Sequence, residues 1–179
     1  MTLKSHLGRM HMFRNFVKVW IVIASLGFAG ALLSSKALLA QSINNPAIKA
    51  VYFHADWCSN CRILQPRLAE AKTSSAGLSV QHVTLDFTNS QTWDSAIELA
   101  LEHDIVSTYN AYAGTTGLVV LVASDTGERI DCVNRLYTPD AMVQAFSRAI
   151  ERTQTTKPGA RDSNSVVCPP SRMRPPTIQ

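Results

Sequence analysis

The sequence predicts an α/β domain, a central mixed sheet flanked by helices in the order β-α-β-α-β-β-α. Three observations predict it. An apolar, β-branched run at Lys49–Ala55 leads into a segment of helical period and then a second strand, the signature of a parallel pair joined by a crossover helix. A fully apolar run at 117–123 (GLVVLVA) turns at Ser124-Asp125-Thr126-Gly127 into a returning strand, which makes an antiparallel pair. Two cysteines, Cys58 and Cys61, stand three apart where the first strand meets the first helix.

The elements follow in order. Gln41–Asn45 is a short lead-in punctuated by Pro46, and Lys49–Ala55 is the first strand. A helix runs from Ser59 to about Thr73 with Ile63, Leu64, Leu68 and Ala71 on its apolar side; Pro66 predicts a kink and Gly77 a stop. Leu78–Phe87 alternates as a strand. Asn89 or Ser90 caps a helix through about His103, whose expected apolar stripe is Trp93, Ala96, Ile97, Ala100 and Leu101. Residues 104–116 read as a helical turn and a loop. Gly117–Ala123 and Glu128–Val133 are the paired strands. Thr138 is the N-cap, with Pro139 at the first position, of a helix to about Arg152. Residues 153–179, rich in Pro, Ser, Thr and Arg, predict a flexible tail. The domain limits are therefore 1–40, 41–152 and 153–179.

The net charge of +4 is unevenly placed. Residues 1–40 carry five Lys/Arg and no acid, residues 41–156 eight against twelve Asp/Glu, and residues 157–179 four against one. The globular part is mildly acidic and gives no nucleic-acid signal. Lys4, Arg9, Arg14 and Lys18 precede a 15-residue uncharged run, Val19–Leu33, which is followed by small residues up to Ala40. That is the pattern of a secretory signal cleaved after Ala40. The rival is an anchor over residues 19–40, interrupted by Ser34, Ser35 and Lys36, where about 20 predominantly apolar residues are needed to span. Both send the rest of the chain out of the cytoplasm, to a periplasm-type compartment.

Two sulfurs at i and i+3 on a first helical turn can close and reopen a disulfide, and so carry two electrons. Unpaired N–H groups at the helix start favour a thiolate at the first of them. The same spacing serves half of a zinc site, but zinc takes about four ligands and no second CxxC or CxxH exists; c-type haem needs a histidine where Arg62 stands. The readings left open are a redox pair, a structural disulfide and a metal handle, with no cofactor expected.

With these elements placed, residues 49–152 resemble the thioredoxin family. The carriers are Ala55-Asp56-Trp57-Cys58-Ser59-Asn60-Cys61, which matches the W-C-x-x-C junction; Pro66, five residues after the second cysteine; Leu85-Asp86 at the end of the next strand; and the Asp125-Thr126-Gly127-Glu128 hairpin. With the N-terminal signal, the chain is most similar to exported, periplasmic-type members. The resemblance implies a thiol–disulfide oxidoreductase, leaning to reductase or electron relay, with Cys58 as nucleophile and Cys61 as resolving thiol. Its partners would be protein thiols or disulfides and a membrane electron donor. The alternative is a redox-inactive binding module. The sequence departs from the family at four places. Tyr52 stands where the family has a buried acid. Thr115-Thr116-Gly117-Leu118-Val119 lacks the loop proline. The start before Ile48 is short, and about ten residues are added near Tyr109-Asn110-Ala111-Tyr112, placed to cover the site or mark a partner.

Around the pair, Trp57, Ser59, Asn60, Arg62, Gly117 and Leu118 are candidate substrate contacts, and His54 and Asp56 candidate proton carriers. His82 and His103 are expected at the surface and Trp93 in the core. Cys132 and Cys168 are a candidate structural disulfide in an oxidising compartment; free thiols are the other reading.

Overall fold

The computed structural model describes residues 45–172; the signal or anchor expected over residues 1–40 lies outside them. The elements are β1 (Ile48–His54), α1 (Ser59–Ser74), β2 (Val80–Asp86), α2 (Ser90–Glu102), α3 (Val106–Tyr112), β3 (Leu118–Ala123), β4 (Arg129–Asn134) and α4 (Pro139–Thr155). The expected order holds, with one helix more: the helical turn expected within residues 104–116 is a seven-residue helix, α3.

The sheet has the order β2-β1-β3-β4. β1 pairs parallel with β2, Tyr52 facing Thr84 and His54 facing Asp86, and antiparallel with β3, Phe53 facing Leu118. The β3–β4 hairpin is antiparallel with an irregularity at Leu121/Val122. Period-two alternation divides the buried residues into two layers. Ala50, Tyr52, Val119 and Leu121 face α1 and α4, meeting Leu64, Leu68, Met142 and Phe146. Val51, Phe53, Val120 and Val122 face α2 and α3, meeting Ala96, Ala100, Ile105 and Tyr112. β1 and β3 are covered on both sides, which is why they read as continuous apolar runs. Each large side chain buried there contributes about 1.5–3 kcal/mol.

Caps set the helix limits. Asn89 and Thr92 form a reciprocal capping box at the start of α2. The Thr138 hydroxyl accepts from Ala141 N–H at 3.3 Å at the start of α4. α1 runs on through Pro66 and ends at Ser74 with Ser75 as its C-cap, before Gly77; the Ser75 hydroxyl donates to Ala71 O at 2.6 Å and makes a glycine stop unnecessary.

Several side chains depart from expectation. The buried side of α2 is Ala96 and Ala100, whereas Ile97 and Leu101 are exposed. The small residues let α2 lie close to the sheet, and the larger ones point away. Ile63 of α1 is exposed for the same reason: Cys61, Leu64, Leu68 and Ala71 fill the inner stripe. Trp93 is not a core residue. It meets Phe87 edge-on, and its indole N–H donates to Tyr109 Oη at 2.8 Å. His82 is not a surface residue: its ring packs edge-on against Phe146 with Nδ1 buried, and burial together with Lys72 lowers its pKa to about 4. His103 is half-buried, its Nδ1 3.3 Å from Gln81 Nε2.

The tail, expected to be flexible, is held across residues 157–172. Arg161 is buried and bonds Asp125 at 2.6 Å and the Thr153 and Thr156 carbonyls, while Glu128 accepts from the Gly159 and Arg161 N–H groups. Arg129 pairs with Asp162. Ser163 N–H donates to Ile130 O at 2.8 Å, covering the β4 edge, and Cys132 and Cys168 form a disulfide with Cα atoms 5.1 Å apart. Polar composition misled here, because most of these contacts are charged and backbone bonds, with only Val167 and Cys168 among the described tail residues packing against the apolar layer. Among the described residues, no helix is long and apolar enough to cross a membrane.

Candidate active site: a cysteine pair at a helix start

β1 ends at His54 and the chain turns through Ala55-Asp56-Trp57 before α1 begins. Cys58 is the N-cap of α1, in extended conformation. An N-cap side chain normally offers oxygen to the free N–H groups of the first turn. Here it offers sulfur, and Cys61 N–H donates to Cys58 Sγ at 3.2 Å. Cys61 sits one turn in, fully buried, with its thiol 3.9 Å from Phe53 O. Both cysteines are free thiols.

The two thiols are pushed in opposite directions. Burial alone would raise Cys58, but hydrogen bonds from the Cys61 thiol, the Thr116 hydroxyl and the Cys61 and Asn60 N–H groups outweigh it, so its pKa is lowered. Burial raises Cys61, and a neighbouring Cys58 thiolate raises it further. As pH rises, Cys58 therefore gives up its proton first, and the inner sulfur keeps its own to higher pH.

The loop before β3 closes the site. Gly117 has φ +79°, and its N–H donates to Phe53 O at 2.9 Å. A Cβ on Gly117 would lie 2.6 Å from Asn60 Cβ and 3.4 Å from Cys58 Sγ. Only glycine satisfies both the backbone angle and the approach. Thr116 was singled out by no sequence signal, although it belongs to the loop that lacks the family proline; its hydroxyl becomes apparent only when the loop folds onto Cys58.

The other candidates divide. Trp57 is 60% exposed, its indole N–H donating to Thr88 O at 3.2 Å, so the ring lies open beside Cys58. Ser59, Asn60 and Arg62 are exposed. Leu118 is buried in the α2–α3 layer, so its side chain does not face the site. His54 and Asp56 are joined, Nε2 to Oδ1 at 3.1 Å, and His54 Nδ1 lies 3.2 Å from Tyr52 Oη. The Tyr109–Tyr112 segment does not cover the cysteines: it is part of α3 and packs in the layer with Phe53 and Phe87, on the other face of the sheet from α1.

The thioredoxin family model matches residues 32–102, which contain the whole cysteine motif. Among solved structures, the chain is similar to a disulphide isomerase from Xylella fastidiosa Temecula1 (23% identity, 66% of this chain and 89% of that one, TM-score 0.37). It is also similar to StoA from Bacillus subtilis (16%, 57% and 84%, TM-score 0.41) and to Trxlp from Edwardsiella tarda EIB202 (16%, 62% and 91%, TM-score 0.39). No curated protein sequence matches it. The described residues form a thioredoxin-fold domain with a CxxC pair.

Proposed function

We propose that this thioredoxin-fold domain is an exported thiol–disulfide oxidoreductase acting on protein thiols or disulfides. The observation that carries the reading is the division between the two sulfurs: Cys58 Sγ at the helix cap accepts from Cys61 N–H at 3.2 Å in a setting that lowers its pKa, while Cys61 one turn behind is buried in a setting that raises its own. Cys58 Sγ attacks a substrate disulfide, forms a mixed disulfide and expels one substrate thiolate. Cys61 then attacks Cys58 Sγ, closes the Cys58–Cys61 disulfide and expels the second. Two electrons pass from the pair to the substrate. Trp57 offers an exposed apolar surface beside the nucleophile.

We read the direction as reductase or electron relay, supplied by a membrane electron donor. Known pairs span about −270 to −120 mV, and Ser59-Asn60 sets where this pair falls. The address rests on Lys4 to Ala40, read as a signal or anchor, and a Cys132–Cys168 bridge suits an oxidising compartment. A second reading, a binding module with an inert pair, draws on Tyr52 at the acid position and on the proline-free loop at Thr115–Val119. Equilibration of Cys58 and Cys61 with glutathione separates the two. Exchange with a defined potential is expected, and a pair that never exchanges overturns the reading. With Cys61→Ser, a substrate should stay attached to Cys58 and be identifiable.

A further inference from the structure

Cys61 must lose its proton to resolve a mixed disulfide, yet it is fully buried and its pKa is raised. The polar side chain of β1 beside it is Tyr52, whose hydroxyl donates to Cys61 O at 3.4 Å and is placed to favour a Cys61 thiolate. From that hydroxyl a continuous chain runs outward: 3.2 Å to His54 Nδ1, then from Nε2 3.1 Å to Asp56 Oδ1. Accessibility rises along it. Tyr52 is buried, His54 is 13% exposed at its side chain and Asp56 78%. Tyr52 and His54 share a face because they are two apart on one strand. The titratable groups around them are Cys58 and Cys61 on α1, Asp56 in the turn, and Asp86 opposite His54 on β2. Asp86 is occupied, since one carboxylate oxygen accepts from both the Thr88 N–H and the Thr88 hydroxyl. α4 meets this layer with Met142, Ala145 and Phe146.

We propose that Tyr52, His54 and Asp56 are a proton path that serves Cys61. The inference rests on the exchange reading and adds its second half-reaction. In the structure the Cys61 thiol points to Phe53 O and the Tyr52 hydroxyl to Cys61 O; in the mixed-disulfide state Cys61 S–H turns to the Tyr52 oxygen, and Tyr52 O–H to His54 Nδ1. The Cys61 proton passes to Tyr52 as the Tyr52 proton passes to His54. The result is a Cys61 thiolate, a neutral tyrosine whose new O–H points at that thiolate, and an imidazolium paired with Asp56. The thiolate attacks Cys58 Sγ, the Cys61–Cys58 bond forms, and the bond from Cys58 to substrate breaks. The electron pair leaves on the substrate sulfur, and His54 releases its proton to water at exposed Asp56. Tyrosine relays without ionising, as its raised pKa requires. Tyr52 and His54 are positioning and proton-carrying residues; neither forms a bond to sulfur.

The test uses the reduced full chain and an aromatic disulfide, 5,5′-dithiobis(2-nitrobenzoate), which releases one coloured thiolate when Cys58 attacks and a second when Cys61 resolves. Tyr52→Phe and His54→Gln should leave the first release within about twofold of wild type and slow the second at least about tenfold, the scale of a lost general-base contribution. The pH profile distinguishes a path from packing. Without an internal acceptor, Cys61 is deprotonated by solvent, so the second step should climb about tenfold per pH unit below its pKa. Wild type keeps the proton inside the protein and should be flatter between pH 6 and 8. His54 is half-buried at the end of β1, so His54→Gln keeps the test decisive if Tyr52→Phe fails to fold. Second-step rates and profiles unchanged in both variants overturn the path while the exchange reading stands. An effect of Tyr52→Phe without one of His54→Gln also overturns it. A wild type that releases neither thiolate overturns the exchange reading itself.

Discussion

The chain holds two cysteine pairs, and almost every physical property separates them. Cys58 and Cys61 are neighbours on one helical turn, and both are free thiols. Cys132 and Cys168 are 36 residues apart and bridged, one in the core of β4 and one in the tail. Closing the longer loop removes about 4 kcal/mol of unfolded-state entropy, against about 2 kcal/mol for the short one. The outer pair therefore contributes more to the fold than the inner one. The inner pair has hydrogen-bond donors aimed at one sulfur and burial around the other. A cysteine pair becomes suited to exchange when the protein treats its two sulfurs differently, and to fastening when it joins distant segments.

The contrast is broken most severely by exchanging the roles under mutation. Cys58→Ser should abolish turnover in a glutathione-coupled assay, by at least about 10³-fold on the nucleophile's loss, with little change in melting temperature. Cys168→Ser should keep exchange at the inner pair and lose about 2–4 kcal/mol in denaturant unfolding. If Cys168→Ser stops exchange, the two pairs are not independent. Gly117→Ala tests the close approach. A positive φ costs about 1–3 kcal/mol for a residue with a side chain, and the Cβ must also displace Asn60. Unfolding should show at least that loss, with exchange slowed and the Cys132–Cys168 bridge intact by mass.

Thr116→Val removes one donor to the Cys58 sulfur without changing shape. The Cys58 pKa should rise, and alkylation by iodoacetamide at pH 6–7 should slow on the order of tenfold, as for a hydrogen bond to a charged group worth about 1.5 kcal/mol. The smallest effect is in pH dependence. Cys58 is lowered in the folded state, so between that lowered value and 9.0 the unfolded chain binds more protons and stability rises with pH. Cys61 is raised, so above 9.0 the folded chain holds its proton longer and that contribution falls. Reduced wild type should gain stability from pH 7 to 9 relative to Cys58→Ser, measured by urea unfolding; a flat difference would show that the cap contributes nothing to the thiolate.

Much of this was legible in the residues. The apolar run at β1, the Ser124–Gly127 turn, the Thr138-Pro139 cap and the cysteine spacing each have a local cause, and each appears in the fold. What stayed hidden depends on distance. α2 shows a stripe of large apolar residues at helical spacing, yet the sheet takes its alanines, because the depth available above β2 decides which side turns inward. α3 forms from a segment with weak periodicity because Tyr109 and Tyr112 find Phe53 and Phe87 across the layer. The tail lacks the apolar content that advertises order, and Arg161 supplies it through carbonyls instead. At the site, Cys58 and Cys61 could be named from spacing and His54 and Asp56 from proximity to the motif. The Tyr52 hydroxyl linking them, and the Thr116 hydroxyl, required the fold.

The two faces of the sheet have a further consequence for fidelity. Cys58 and Cys61 belong to the layer beneath α1 and α4, and Cys132 to the layer beneath α2 and α3. A closed stretch of β1 and β3 stands between them. A second disulfide within reach of an exchanging sulfur would ordinarily scramble, since a thiolate attacks whichever disulfide it can reach. The sheet acts as insulation: on the proposed exchange reading, Cys58 would cycle on one face while the Cys132–Cys168 bridge stays on the other. The native layering therefore separates the two pairs in space as well as in chemistry.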